Sequence, residues 1–201
     1  MLKDLEQLIS IISKLPSLGQ RSAKKIALHL IENRHHVMSN LMDKMTSVYQ
    51  NIKNCKRCGN LAVEDNCEIC LDSSRNPEIL CIVENIADLW SIEKSSFYRG
   101  YFHVLGGVLS AVNGQGPESL NIDSLLKRFE SEEIKEVIIA TNPTMEGQTT
   151  AYYIADLIKK YKVKISKLAN GVPIGGEIDY LDDSTLSVAF QGRKEFGVVE
   201  K

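Results

Sequence analysis

The 201-residue chain has no apolar stretch long enough to cross a membrane. A membrane span needs roughly 20 apolar residues, and the first twelve positions, where an export signal would lie, are interrupted by Lys3, Asp4 and Glu6. We therefore expect a cytoplasmic protein. Thiols stay reduced in that compartment, so the five cysteines are expected to be free or bound to metal rather than paired in disulfides.

The sequence also lacks internal repeats, low-complexity segments and a strong excess of one charge. A hydrophobic content of 43% and a charged content of 25% indicate an ordinary folded protein of one to two domains. The net charge of −2 argues against a generally basic surface for nucleic acid. Residues 1–70, however, carry 10 Lys+Arg against 7 Asp+Glu, whereas residues 71–201 carry 14 against 19. The first part is thus compatible with phosphate contacts.

Four of the five cysteines form two C-x-x-C pairs with eight residues between the pairs. Each pair can direct two thiolates to one point, so this spacing predicts a closed, tetrahedral zinc site made by Cys55, Cys58, Cys67 and Cys70. Two disulfides or a thioredoxin-like redox pair are the alternatives. A disulfide scaffold needs a secretory route and a redox motif needs only one pair, so we favour zinc. Cys81 lies in an apolar run and is expected to be a buried, inert residue.

The first thirty residues predict two helices joined by a tight turn. Apolar residues recur every three or four positions from Leu2 to Leu15, Pro16 stops that pattern, and a second amphipathic helix begins near Gln20. This is a helix-hairpin-helix arrangement. Gly19 would leave bare backbone amides at a helix N-terminus, where they can hold a phosphate oxygen. The basic residues on the next turn predict DNA binding, with a plain αα-hairpin as the alternative; they are Arg21, Lys24 and Lys25.

A polar link over residues 32–36 and a third amphipathic helix over residues 40–52 are predicted next. The apolar stripe of this helix contains Leu41, Met45, Val48 and Ile52. Its methionines are interpreted as core filler or as a partner surface.

From Asn76 onward, apolar strands alternate with helices, which predicts a mostly parallel sheet covered by helices. Expected strands are residues 79–83, 101–105, 136–140 and 163–168, and expected helices are residues 86–92, 122–129 and 147–161. The predicted fold class is therefore a helical module, a small zinc knuckle and an α/β domain.

Functional residues of such a sheet gather at the carboxyl ends of its strands. Glu84 ends the first strand, and Asn142-Pro143-Thr144 follows the third, where a D-x-D sequence would complete a Mg²⁺ site. Glu146 lies just beyond. With an amide and a hydroxyl in place of two carboxylates, we expect Glu84 and Glu146 to be hydrogen-bonded or partner-facing rather than catalytic.

The helix-hairpin-helix, the four-cysteine knuckle and the acid-bearing α/β domain follow one another along the chain. With its modules in this order, the chain resembles the RecR family of bacterial recombination mediators. The α/β part is similar to the Toprim domain of topoisomerases and primases. The motifs that carry the resemblance are Leu15–Gly19 with Arg21–Ala23, the four cysteines, Ile82–Glu84, Tyr101–Gly107, Gly116–Glu118, Ala140–Gly147, Gly171–Gly176 and Thr185-Leu186.

The resemblance implies a non-enzymatic DNA clamp that forms a homotetrameric ring and binds duplexes and single-strand/duplex junctions. It implies action with RecO, and in some settings RecF, to load RecA at single-strand gaps. It also implies nucleoid association, one structural zinc ion per chain, DNA contacts at Arg21 and Lys25, and partner contacts at Glu84, Asn142 and Glu146. The implied domains are residues 1–53 (helix-hairpin-helix), 54–75 (zinc finger), 76–170 (Toprim) and 171–201 (a Walker-B-like assembly segment).

The chain departs from the family pattern at Asn170, where an arginine is common. No phosphate-binding G-x-x-x-x-G-K-[ST] motif is present, so ATP hydrolysis is not supported, and Asp179, Asp182 and Asp183 are expected to be solvated surface acids. A Mg²⁺-dependent Toprim nuclease or nucleotidyl transferase is the alternative function. An adaptor that mainly binds protein is a third hypothesis.

Overall fold

The structure is a computed structural model that describes residues 2–194. The chain divides into two compact units, Met1–Ile52 and Lys53–Lys201.

The first unit consists of three helices, α1 (Lys3–Ser13), α2 (Gln20–Glu32) and α3 (Ser39–Asn51). α1 and α2 bury a small core in which two alanines of α2 are fully buried, which allows the helix backbones to approach closely. The buried core residues are Ile9, Ile12, Ala23, Ala27 and Leu30. Both helices were predicted from the spacing of these residues.

The turn between α1 and α2 is closed by a hydrogen bond from the Leu18 amide to the Leu15 carbonyl at 3.1 Å. Ser17 takes the left-handed backbone conformation in this turn, with φ of 62°. Gly19 is the extended residue that precedes α2, and it is exposed. The predicted hairpin is therefore present, with its helix N-terminus open to solvent.

The predicted polar link over residues 32–36 is wrong. Residues Arg34–Met38 form a π-helical turn, because the Asn33 carbonyl accepts hydrogen bonds from the amides of Val37 at 2.8 Å and Met38 at 3.4 Å. This turn leads directly into α3. A π-turn of five residues is too short to show a periodic apolar pattern, so it could not be predicted from this polar sequence.

α3 buries none of its residues within the unit. Its predicted apolar stripe is instead exposed, with side-chain exposures from 38% at Ile52 to 63% at Met45. Of the two interpretations of its methionines, the partner surface fits Met42 and Met45. Met38 is half-buried and packs against the core of α1 and α2.

The second unit begins with a knuckle built from a two-stranded antiparallel ribbon, β1 (Lys53–Asn54) and β2 (Leu61–Ala62), and a single helical turn, α4 (Glu68–Leu71). A four-stranded sheet follows in the order β4-β3-β5-β6, with every neighbouring pair parallel. Its strands are β3 (Asn76–Val83), β4 (Gly100–Val104), β5 (Glu136–Ala140) and β6 (Lys164–Lys167).

The main helices packed with the sheet are α5 (Ile86–Lys94), α6 (Ile122–Ser131) and α7 (Met145–Ile158). The two faces of the sheet bury separate apolar clusters, so both faces are covered, as the apolar strands predicted. β3 begins at Asn76 rather than Ile79. α7 begins at Met145 rather than Gly147, because the Thr144 hydroxyl caps it by accepting from the Gly147 amide at 3.1 Å.

A short helix near the C-terminus, α8 (Asp183–Gln191), was not predicted. Asp182 precedes this helix, and its carboxylate accepts a hydrogen bond from the Thr185 amide at 2.9 Å. Asp182 is therefore an N-cap rather than only a solvated acid. All of residues 171–180 are exposed, including Ile174 and Tyr180.

Candidate functional site

The four predicted zinc ligands converge on one point. All four sulfur atoms lie within 4.8 Å of one another, and all four residues are buried. Cys55 and Cys70 sulfurs are 3.8 Å apart, and those of Cys58 and Cys67 are 3.6 Å apart. A tetrahedron with zinc–sulfur bonds of about 2.3 Å has edges of about 3.8 Å, whereas a disulfide requires about 2.05 Å. The arrangement fits one zinc ion and excludes disulfides within the set.

Backbone geometry orients the thiols. The amides of Asn60 and Cys67 point at the sulfurs of Cys58 and Cys55, at 3.5 and 3.3 Å, where they would stabilise thiolate charge. Gly59, the residue after the second thiol, has φ of +80°, a conformation that costs little only for glycine. A Cβ at this position would also lie 3.0 Å from the Val104 carbonyl oxygen, which is tighter than normal contact.

The zinc knuckle is attached directly to the edge of the sheet. The Val104 amide at the end of β4 donates to the Cys58 carbonyl at 2.7 Å, so the chain between the first two ligands continues the hydrogen bonding of that strand. On the neighbouring helix, the Trp90 indole donates to the Asn60 side-chain oxygen at 3.2 Å. The end of strand β4 is therefore hydrogen-bonded to the knuckle.

A partly buried ion cluster strengthens this attachment. Arg57 of the knuckle and Arg128 of α6 each donate two hydrogen bonds of 3.0–3.1 Å to the carboxylate of Glu132. Arg57 also donates to the Cys70 carbonyl at 3.0 Å, and its guanidinium lies 4.2 Å from the centre of the Tyr101 ring. These contacts hold the Arg57 side chain within the fold.

The two guanidiniums favour the ionised form of Glu132. Burial alone would raise the pKa of the Glu132 carboxyl, but the hydrogen bonds from Arg57 and Arg128 outweigh it and hold that pKa below its ordinary value. The other two basic residues of the knuckle pair with Asp65, Lys53 at 3.1 Å and Lys56 at 2.8 Å.

The predicted DNA-binding residues lie together at the start of α2. Arg21, Lys24 and Lys25 are exposed, and none of them forms an ion pair with any residue of the described chain. The first hydrogen bond of α2 is donated by Ala23 to the Gly19 carbonyl at 2.9 Å. The preceding amides in the first turn of α2 thus have no acceptor in the helix and face solvent.

The acid at the carboxyl end of β3, Glu84, is engaged in hydrogen bonds. Glu84 is buried, and its two carboxylate oxygens accept from the backbone amide of Asn142 at 2.6 Å and from its side-chain amide at 2.7 Å. Asn142 therefore donates where an aspartate would bind metal. A Cβ on Gly147 would lie 2.6 Å from the Glu84 carboxylate, so glycine is required for this contact.

Glu146 is exposed in the first turn of α7. It lines an open cavity of about 680 Å³ whose other lining residues include Glu118, Met145 and Val112. The structure brings Glu84 and Asn142 together and leaves Glu146 on a separate acidic surface.

Comparisons with known families match nearly the whole chain. Four family models align in order: a RecR helix-hairpin-helix over residues 5–48, a RecR four-cysteine zinc finger domain over 52–72, a Toprim domain over 78–169 and a RecR C-terminal segment over 171–194.

Curated relatives agree with these matches. Recombination protein RecR of Parvibaculum lavamentivorans is 47% identical over 96% of this chain and 97% of the relative. The protein of the same name from Anaplasma phagocytophilum is 50% identical over 94% and 98%. That from Rickettsia massiliae is 48% identical over 96% of both chains. The chain belongs to the RecR family.

Membership in the RecR family confirms the resemblance and the predicted fold class. The predicted cofactor, one zinc ion per chain, is confirmed by the zinc-finger match together with the four clustered thiols. Within residues 2–194, none of the helices has the length and apolar character that a bilayer crossing requires.

Replacing one zinc ligand should remove the metal. We expect Cys58→Ser to lower the zinc content from one ion per chain to near zero and to leave the knuckle unfolded, because site formation and folding are coupled. Atomic absorption and thermal unfolding measure both effects. Cys81→Ala is the matched control, since Cys81 is buried in β3 away from the metal and burial raises its pKa to about 12. A folded Cys58→Ser protein without zinc would contradict the prediction.

Neutralising the shared carboxylate should destabilise the second unit. We expect Glu132→Gln to lower the free energy of unfolding by about 2–4 kcal/mol, because two guanidiniums lose their counter-charge. Since the folded-state pKa lies below the ordinary 4.5, the stabilisation is present above pH 4.5 and is lost as the pH falls through the folded value.

Urea unfolding of the wild type and of Glu132→Gln over a pH series should therefore show a gap that narrows below pH 4.5. Glu130→Gln, an exposed neutralisation on the same helix, is the control and should change little. An equal effect of the two substitutions on the free energy of unfolding would show that the ion cluster does not stabilise the second unit.

Proposed function

We propose that this chain is a non-enzymatic DNA-binding mediator of recombinational DNA repair, which grips DNA through the hairpin of its first unit. The observation that carries the proposal is the open N-terminus of α2 with Arg21, Lys24 and Lys25 exposed and unpaired in the described chain. The printed name of its relatives, recombination protein, supports the same role.

The proposed grip combines two kinds of contact. Unpaired amides that follow Gly19 donate to a phosphate oxygen, and the positive end of the helix dipole favours its charge. Arg21 and Lys25 lie four residues apart on one helix face and add charge contacts to neighbouring phosphates. Such contacts do not read sequence, so duplexes and single-strand/duplex junctions are the proposed ligands.

We further propose that the protein assembles into a homotetrameric ring. The exposed apolar residues of α3, among them Met42, Met45 and Tyr49, supply the first contact surface. The exposed apolar residues of the C-terminal segment, among them Ile174 and Ile178, supply the second. In this proposal residues 1–53 bind DNA and assemble, 54–75 hold zinc, 76–170 form the Toprim domain and 171–201 assemble.

RecO, and in some settings RecF, are the proposed partners, with loading of RecA at single-strand gaps as the outcome. The partner surface is the acidic end of the sheet, with Glu146 exposed and with Glu84 and Asn142 setting the shape of the preceding loop. Its acidic cavity favours a basic partner. The proposed place of action is the nucleoid, where the DNA lies.

The alternative is a Mg²⁺-dependent Toprim nuclease or nucleotidyl transferase. The Toprim match favours testing it, whereas the two hydrogen bonds that occupy Glu84 oppose it. We expect the protein to leave supercoiled DNA intact with Mg²⁺ or Mn²⁺, as measured by gel electrophoresis over time. Nicking by the wild type that is lost in Glu84→Ala would establish the alternative, whereas nicking retained by that variant would indicate a contaminating nuclease.

The proposed DNA grip predicts a specific salt dependence. We expect Arg21→Ala/Lys25→Ala to weaken duplex binding and to reduce the slope of log K against log salt by about 1.8, at roughly 0.9 per phosphate contact. Fluorescence anisotropy over a salt series measures both quantities.

Lys94→Ala/Lys127→Ala is the matched control, because it also removes two charges from exposed helical positions. Zinc content and molar mass are checked on the same samples. An unchanged slope in the hairpin variant, with zinc and molar mass retained, would place the contacts elsewhere. Duplex affinity too weak to measure at low salt, with RecO binding intact, would favour the protein-binding adaptor.

A further inference from the structure

The open edge of the sheet carries a dense group of positive charges. Five lysines occur within nine residues, from the end of α7 through β6, and all five are exposed. We call residues 159–167 the lysine strip; its lysines are Lys159, Lys160, Lys162, Lys164 and Lys167. The surrounding part of the chain, residues 71–201, has an excess of acidic residues. The lysine strip is therefore a basic segment within an acidic part of the chain.

Most of this charge is not neutralised. Lys164 pairs with Glu136 at 3.1 Å, and the Lys160 ammonium lies 5.0 Å from the centre of the Tyr161 ring. Lys159, Lys162 and Lys167 form no ion pair with any described residue. By contrast, Lys135 is already paired with Glu78. The strip therefore presents at least three lysines to a ligand.

A cavity of about 470 Å³ adjoins the strip at the carboxyl ends of β5 and β6. Lys167 lines it together with Thr141, Gln148, Asn170 and the ring of Tyr152, which is 74% exposed. Ile139, Ala155 and Ile165 add apolar surface. No acidic residue lines this cavity, whereas Glu118 and Glu146 line the separate open cavity beside α7. The two cavities thus differ in charge.

Exposed lysines beside an exposed tyrosine ring and a cavity without acidic residues suit a single-stranded nucleic acid. Single-stranded nucleic acid is bound where positive side chains follow the backbone and an exposed aromatic ring stacks with a base. The cavity is within the volume range of small-molecule sites, and neutral hydrogen-bonding groups line it. A duplex keeps its bases stacked on one another and offers none to Tyr152.

We propose that the lysine strip and the Tyr152 cavity form a second nucleic-acid site, which takes single-stranded DNA. Lysines 159, 162 and 167 contact phosphates, and the cavity receives one unstacked base against the ring of Tyr152. The inference rests on the proposed function only in that both require DNA binding, since none of its residues belongs to the hairpin.

Labelled oligo-dT is the probe, with a duplex measured in parallel. We expect Lys162→Gln/Lys167→Gln to reduce the salt slope for oligo-dT by about 1.4, at roughly 0.7 per single-strand contact. Tyr152→Leu should weaken oligo-dT binding about five-fold or more and leave duplex binding unchanged, and Tyr152→Phe should retain wild-type affinity. Lys94→Gln/Lys127→Gln is the charge-matched control.

Three outcomes would overturn the site while the proposed function stands. In the first, wild-type binding is intact and neither Tyr152→Leu nor the lysine variant alters oligo-dT binding. In the second, these variants change the molar mass of the assembly, which would show that a second copy of the chain covers the surface. Loss of all DNA binding in Arg21→Ala/Lys25→Ala, oligo-dT included, would also overturn it. A wild type that binds no DNA would instead refute the proposed function itself.

Discussion

The attachment of the zinc knuckle to the sheet is the constraint on which the second unit depends. Four thiols that share one ion fix residues 55–70, and the Cys58 carbonyl then accepts the hydrogen bond that the end of β4 would otherwise lack. An uncovered edge strand would expose unpaired backbone groups. Because metal binding supplies folding free energy at such sites, zinc stabilises the sheet edge as well as the knuckle.

The same attachment includes a partly buried cluster of charges. Arg57 and Arg128 come from different elements and share one carboxylate, so the desolvation of each guanidinium is offset by two charge-assisted hydrogen bonds. Arg128 also donates to the Phe102 carbonyl in β4 at 2.6 Å. The knuckle, α6 and β4 are thereby held together through one residue, Glu132.

The knuckle is bonded to the end of β4, and the remaining surfaces of the second unit differ in chemistry. The carboxyl end of β3 holds an acid, Glu84, whose two oxygens accept hydrogen bonds from Asn142. Glu146 lines an open cavity together with Glu118, and β6 carries exposed lysines. The second unit thus presents both an acidic and a basic surface.

Local patterns account for the parts of this structure that the sequence predicted. Cysteine spacing identified the metal site, β5 was predicted at its observed bounds, and Pro16 with the apolar periodicity located the hairpin. The pairing of Arg57 with Glu132 could not be predicted, because 75 residues separate them and either residue alone resembles a surface charge. The π-turn could not be predicted because it depends on one carbonyl, that of Asn33. Helix α8 could not be predicted because it has only nine residues and a weak apolar pattern.

Hydrogen exchange at short labelling times, with and without duplex DNA, tests the central claim that the hairpin amides hold phosphate. The amides of Gln20, Arg21 and Ser22 precede the first hydrogen bond within α2 and should exchange rapidly in the free protein. The account predicts that DNA slows exchange at these residues, because they donate to phosphate oxygens. Protection confined to other segments, with no change at residues 20–22, would contradict it.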